Sequence, residues 1–235
     1  MNGQGRHCDV LIKGAYLITV DGSRRIIPDG AVAICGRVID EVGKSEDLLA
    51  RYQPERIIDA QGAVVHPGFV EPHIHISQFT SRAATGVFYG KNPPYRYAQW
   101  KANLFEEDEG PATALGGMRL IQSGFTSFVD PGTVFAPDAV AEAAVRVGIR
   151  GWLADTYLWD FGQTLELYPA LISEALMKRV PCDYDRSIKE LGSQLYRNSD
   201  SNALIKGHVA IYGEATASDA LRQAAKRCAT DNGVT

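Results

Sequence analysis

The chain has 235 residues, with 24 Lys+Arg against 28 Asp+Glu and a formal net charge of −4; 45% is hydrophobic and 22% charged. Such a composition suits a globular chain with a real core, arranged as one large domain or two modest ones. It argues against nucleic-acid partners, because Lys and Arg are dispersed within an acidic balance. It also argues against a membrane partner, because no apolar run approaches the ~20 residues of a span. The start, Met1-Asn2-Gly3-Gln4-Gly5-Arg6, has no signal-like apolar core. Cys8, Cys35, Cys182 and Cys228 form no C-x-x-C pair. Both features lead us to expect a cytoplasmic protein with free thiols.

The first ~60 residues read as short strands. Asp9-Val10-Leu11-Ile12-Lys13 and Ala15-Tyr16-Leu17-Ile18-Thr19-Val20 are rich in β-branched residues, and Asp21-Gly22 marks a turn. Ala31-Val32-Ala33-Ile34-Cys35 and Val38-Ile39-Asp40-Glu41-Val42 follow, then a short helix at 46–51 and a strand at 56–59. The expectation is a small antiparallel β-unit over residues 1–62, followed by a second domain over 63–235.

In the second part, Ala63 to Ile76 is an apolar strand pattern broken by Pro67-Gly68. An aromatic loop with Phe88, Tyr89, Tyr95, Tyr97 and Trp100 reaches about Lys101. A helix is expected at 107–123 with Pro111 in its first turn and Gly124 as C-cap. Strands at 125–130, 150–155 and 203–212 alternate with helices at 136–147, 167–179, 184–197 and 218–230, the last with Ser218 as N-cap. Nearly all-apolar strands alternating with helices indicate a parallel sheet covered by helices, an α/β class.

The chemistry concentrates in Pro67-Gly68-Phe69-Val70-Glu71-Pro72-His73-Ile74-His75. On a strand, residues i and i+2 share a side, so His73 and His75 project together while Ile74 and Ile76 face an apolar layer. Paired neutral imidazoles can converge on one metal ion. The bare pattern is a weak signal by itself and more often means two histidines hydrogen-bonded at a strand end.

The run from Val64 to His75, preceded by a β-unit and followed by βα alternation, resembles the opening of the amidohydrolase superfamily. The resemblance is greatest to its aminohydrolase and chlorohydrolase branch, which holds cytosine, guanine and adenosine-type deaminases and triazine hydrolases. It implies small β-sandwich strands followed by the first half of a (β/α)8 TIM-like barrel. It also implies a hydrolase of non-peptide C–N bonds in a heterocyclic or amidine-type small-molecule substrate. The cofactor would be one divalent ion, zinc first and iron second, with His73 and His75 as ligands. The full-length family member would be a homo-oligomer. Gln78, just past the signature, resembles the glutamine that meets the substrate ring in guanine-deaminase-like members; a solvated loop glutamine is the alternative.

Other polar residues are expected to be structural. Asp130 and Asp155 end strands, and Asp130-Pro131-Gly132 is good turn chemistry. His208 is expected about three residues, or ~10 Å, below the rim, as a core or lower-face histidine. Lys206 would be lower still, a poor bridge between two metals, which favours a single ion. His7 and His66 are expected to be structural or exposed.

One departure concerns the segment after the fourth barrel strand, where many members of the branch carry a histidine. Here Tyr212-Gly213-Glu214-Ala215-Thr216-Ala217-Ser218 has none, so the substrate contact there would differ. The acid–base residue and the remaining ligands of the resembled family would fall beyond residue 235. The expectation is therefore the front part of an enzyme; a non-catalytic paralogue or interaction module is the alternative. A doubly wound binding protein fits the alternation, but no Gly-rich phosphate loop follows any strand.

Overall fold

The computed structural model describes residues 5–81, 104–161 and 174–235. The chain divides into two compact units, Met1–Gly68 and Phe69–Thr235. The aromatic loop with Phe88, Tyr89, Tyr95, Tyr97 and Trp100, and the first part of the helix expected at 167–179, lie outside the described residues.

The first unit contains β1 (Arg6–Ile18), β2 (Ile26–Cys35), β3 (Val38–Lys44), α1 (Ser45–Arg51), β4 (Tyr52–Asp59) and β5 (Val64–Val65). The two strands expected before Asp21 are one, β1, bent where Gly14 takes φ 65° and the pairing with β2 shifts register between Ile12 and Ala15. The sheet order is β3-β2-β1-β4, with β5 also on β1. The sequence led us to expect an antiparallel unit; the sheet is instead mixed. The chain returns through α1, so β4 runs parallel to β1, and β5 does the same. Leu48 of α1 is fully buried against Cys8, Leu11, Ala31, Ala33 and Tyr52. Pairing of Val64–Val65 with β1 carries this unit to Gly68, past the change of texture at Gly62.

The second unit carries β6 (Phe69–Glu71), β7 (Phe125–Val129), β8 (Arg150–Leu153) and β9 (Ile205–Gly207), hydrogen-bonded in that order and all parallel. Among the described residues, the connections hold α2 (Glu106–Gln122), α3 (Pro137–Val147), α4 (Glu174–Arg179) and α5 (Tyr184–Glu190); α6 (Asp219–Asp231) follows β9. Phe128, Leu153 and Ile205 from the strands bury against Ile76, Leu120, Val140, Ala144 and Ile149. Gly116 and Gly117 let α2 approach closely: a Cβ on Gly116 would stand 3.1 Å from the Phe79 ring, and one on Gly117 would stand 3.2 Å from Val147.

Several boundaries differ from expectation for identifiable reasons. Pro111 lies inside α2, beyond its first turn. The long helix expected at 184–197 stops at Glu190, because buried Asp155 accepts the Gly192 N–H (2.8 Å), the Gln194 N–H (3.3 Å) and the Ser193 hydroxyl (2.9 Å). That capture, with Gly192 at φ 83°, turns the chain into a separate 3-10 turn, Leu195–Ser199. Ser218 caps α6 as expected, its side chain accepting from Leu221 N. Among the described residues no helix is long and apolar enough to cross a membrane. All four cysteines are free.

Candidate metal centre

β6 ends at Glu71, so His73 and His75 lie just past its C-terminal end. The extended pairing nevertheless continues, since Ile74 N donates to Val129 O at 3.0 Å. Alternation therefore persists: Ile74 packs against the core and Ile76 is fully buried in it. The two imidazoles meet on the opposite side with ring centroids 5.3 Å apart and planes at 85°. Two imidazoles sharing a tetrahedral ion at ~2.0–2.1 Å from each nitrogen would hold their centroids roughly 5 Å apart, so the observed spacing fits one ion.

The histidine segment is tied to the loop after β7. Thr133 Oγ1 lies 2.6 Å from His75 Nδ1 and accepts from Gln78 Nε2 at 3.3 Å. The chain turns at once into the 3-10 helix Ile76–Ser81, where Gln78 N donates to His75 O. Gln78 is only 6% exposed, so it is not a solvated loop residue.

Asp130, fully buried, anchors both segments. Its Oδ1 accepts from Gly132 N (2.9 Å) and Thr133 N (3.3 Å), and its Oδ2 accepts from Ile76 N (3.2 Å). Burial pushes its pKa up to about 6 against the pull of those three N–H groups. Glu109, in the first turn of α2 and also buried, accepts from Phe135 N and Ala136 N and so holds the far end of the same loop. Burial raises its pKa. The expectation that Asp130 is structural holds in this sense, whereas Glu109 gave no sequence signal beyond its place near a helix start.

His208 requires a correction. The strand expected at 203–212 is only Ile205–Gly207, because Gly207 abuts the Gln194 backbone and the chain beyond it is irregular. His208 thus follows the C-terminal end of β9 directly; it does not lie low in the strand. Its Nε2 is 2.8 Å from the backbone oxygen of Asp130, and burial lowers its pKa. Lys206 Nζ donates to the Asp200 carbonyl. Glu214 is exposed in a short 3-10 turn, while the Tyr212 ring packs tilted against Tyr157 and edge-on against Trp159.

Among the described residues no third His, Cys, Asp or Glu closes a ligand group with His73 and His75. One such trio occurs in the first unit, where His7, Asp9 and Glu55 on neighbouring strands place ligand atoms within 4.8 Å of one another. His7 Nε2 is 3.1 Å from Glu55 Oε1, with side-chain exposures of 64% and 67%. Water competes there for every ligand, and His7 is exposed as expected. His66 is exposed too, its Nδ1 2.7 Å from Pro67 O.

No family model matches the chain. Its sequence is 33% identical over 162 residues to a 5'-deoxyadenosine deaminase of Methanococcoides burtonii, covering 65% of this chain and 34% of that protein. It is 31% identical over 151 residues to a 5-methylthioadenosine/S-adenosylhomocysteine deaminase of Pelotomaculum thermopropionicum, covering 62% and 34%. The chain thus spans about a third of the length of the curated relatives it matches. In fold it is similar to a zinc-bound adenosine deaminase from Xanthomonas campestris, with a TM-score of 0.75 at 20% identity over 98% of this chain and 48% of that one. The resemblance to amidohydrolase-type deaminases is therefore matched both in sequence and in fold, over the N-terminal portion of those proteins.

Proposed function

We propose that this chain supplies the first-strand histidine pair of a metal-dependent hydrolase that removes an amino group from a purine-nucleoside-like substrate. The single observation that carries the reading is the convergence of His73 and His75, rings 5.3 Å apart, at the C-terminal end of the first strand of a sequentially ordered parallel sheet. Parallel α/β barrels build their active sites at that end. In this reading β6 to β9 are the opening strands of a (β/α)8 barrel, and the first unit is part of a composite β-sandwich. The relatives' names, all deaminases of adenosine derivatives, supply the substrate class.

Zinc is the ion that fits. It takes imidazole nitrogen readily, and a catalytic site uses three protein ligands plus water. When bound, the ion lowers the pKa of water and so provides hydroxide near neutral pH. The residues here hold and orient. His73 and His75 would be the ligands, and Gln78, held beside them by Thr133, would meet the substrate through its amide. Asp130 and Glu109 would keep the loop after β7 in place. The remaining ligand and the acid–base carboxylate are proposed to come from residues outside this sequence.

Zinc titration of the purified chain tests the reading. We expect weak, chelator-reversible binding in the second unit that is lost in both His73→Ala and His75→Ala. Unchanged binding in either variant would refute the ligand assignment. Because two histidines do not complete a catalytic zinc site, no deaminase turnover is expected from the homogeneous chain.

A further inference from the structure

We propose that the outward face of α2 is a self-association surface, on which a second copy of this chain lays its own α2 antiparallel. The inward face of the helix is spent on the core, with Ala112, Thr113, Gly116, Gly117 and Leu120 buried. The opposite face of such a helix is ordinarily polar. Here it carries an apolar stripe: Leu115 is 39% exposed, Met118 48% and Ile121 43%, and Pro111 is exposed beside them. Spacings of three and four residues keep these side chains adjacent along the helix surface. Contiguous exposed apolar residues rimmed by charge mark an interaction surface.

The charges at the rim select the occupant. Asp108 lies in the first turn of α2 and Arg119 in the last, both exposed. About three helical turns separate them, so both lie along the same edge of the stripe. Neither forms an ion pair among the described residues; Arg119 Nη1 donates to the neutral Gln122 Oε1 at 3.2 Å. The face is thus acidic at one end, apolar in the middle and basic at the other. A twofold axis crossing between Pro111 and Leu115 reverses the second helix and brings each Arg119 level with Asp108 of the other copy, so the contact forms twice. The apolar stripes meet between the two charge pairs. Parallel pairing would set like charges against each other at both ends, which excludes it. One helix pair, about 25 Å long, covers less than the ~800 Å² per partner of a standard interface, so the dimer is a weak one.

Sedimentation equilibrium of the purified chain, from about 1 to 500 µM, tests this. We expect a reversible monomer–dimer exchange that is half-complete in the tens of micromolar. Leu115→Asp sets two like charges near the twofold axis and should weaken the dimer by at least about tenfold. Asp108→Arg and Arg119→Asp each leave like charges at both rim contacts, so each should weaken it by roughly tenfold. An equimolar mixture of those two variants restores opposite charges at both contacts and should dimerise as the wild type does. That restoration requires both variants to be folded, so the test survives a poorly folded Leu115→Asp. A wild type that stays monomeric throughout would overturn the proposal and assign the stripe to a different partner. A dimer indifferent to Leu115→Asp would place the contact elsewhere on the molecule and overturn it too. A mixture no tighter than either variant alone would overturn the antiparallel pairing.

Discussion

Asp130 Oδ2 accepts the backbone N–H of Ile76 at 3.2 Å, so the residue just past β7 holds the segment bearing His73 and His75. The same carboxylate satisfies Gly132 N and Thr133 N. Asp130→Ala would leave three N–H groups without their acceptor in a buried place. We expect a loss on the order of 3 kcal/mol in chemical denaturation. A loss under about 0.5 kcal/mol would mean that these bonds do not organise the loop.

Asp130 also predicts a pH dependence. Burial raises its carboxyl from near 3.8 to about 6, so the folded chain binds this proton more tightly than the unfolded chain does. Its stabilising contribution is complete below about 3.8 and is lost as pH rises through about 6. His208 runs the other way: burial lowers its pKa, so its contribution is present above 6.5 and declines as pH falls. Subtracting the profile of Asp130→Asn isolates the aspartate. The wild-type-minus-variant stability should fall between pH 4 and 6 by on the order of 3 kcal/mol and then level off. A flat difference would place the Asp130 pKa at its ordinary value.

Glu109 gives a graded test. Its carboxylate accepts from Phe135 N and Ala136 N in a buried position. Glu109→Gln keeps one amide oxygen for those donors and should cost about 1 kcal/mol, whereas Glu109→Ala should cost about 2–3 kcal/mol. Thermal denaturation of the pair reads the order, and equal stability of the two variants would contradict the bonding described.

Two glycines separate steric clash from backbone strain. A Cβ on Gly207 would stand 2.2 Å from the Gln194 carbonyl oxygen, an immovable backbone atom. At Gly148 nothing lies within 4 Å, but φ is 84° at the end of α3. Gly148→Ala should cost about 1 kcal/mol from its left-handed backbone. Gly207→Ala should cost about 3 kcal/mol or more and reshape the edge at β9. Reversal of that order in urea midpoints would contradict the packing at β9.

The parts of the fold legible in sequence were those written in local patterns. The βα alternation, the left-handed Gly124 and Gly148 after their helices and the Ser218 cap depend on neighbours in the chain. The alternation that throws His73 and His75 to one side depends only on extended backbone, and it persists past the end of β6. What local pattern did not convey were effects of distant partners. The return of the chain through α1 makes β4 parallel to β1, and Asp155 interrupts a continuous helical pattern by capturing N–H groups at Gly192 and Gln194. The end of β9 at Gly207, which lifts His208 to the strand end, likewise depends on Gln194 lying against that glycine. Thr133 and Glu109 were invisible for the same reason, since each acts through a loop brought near by the sheet.

The most direct measurement follows the five histidine rings by NMR while zinc is added to the purified chain. We expect the His73 and His75 signals to move together at the same zinc concentration, and His73→Ala to abolish the shift at His75. The contradicting result is a zinc-dependent shift confined to His7, in the exposed trio with Asp9 and Glu55, while His73 and His75 stay unmoved.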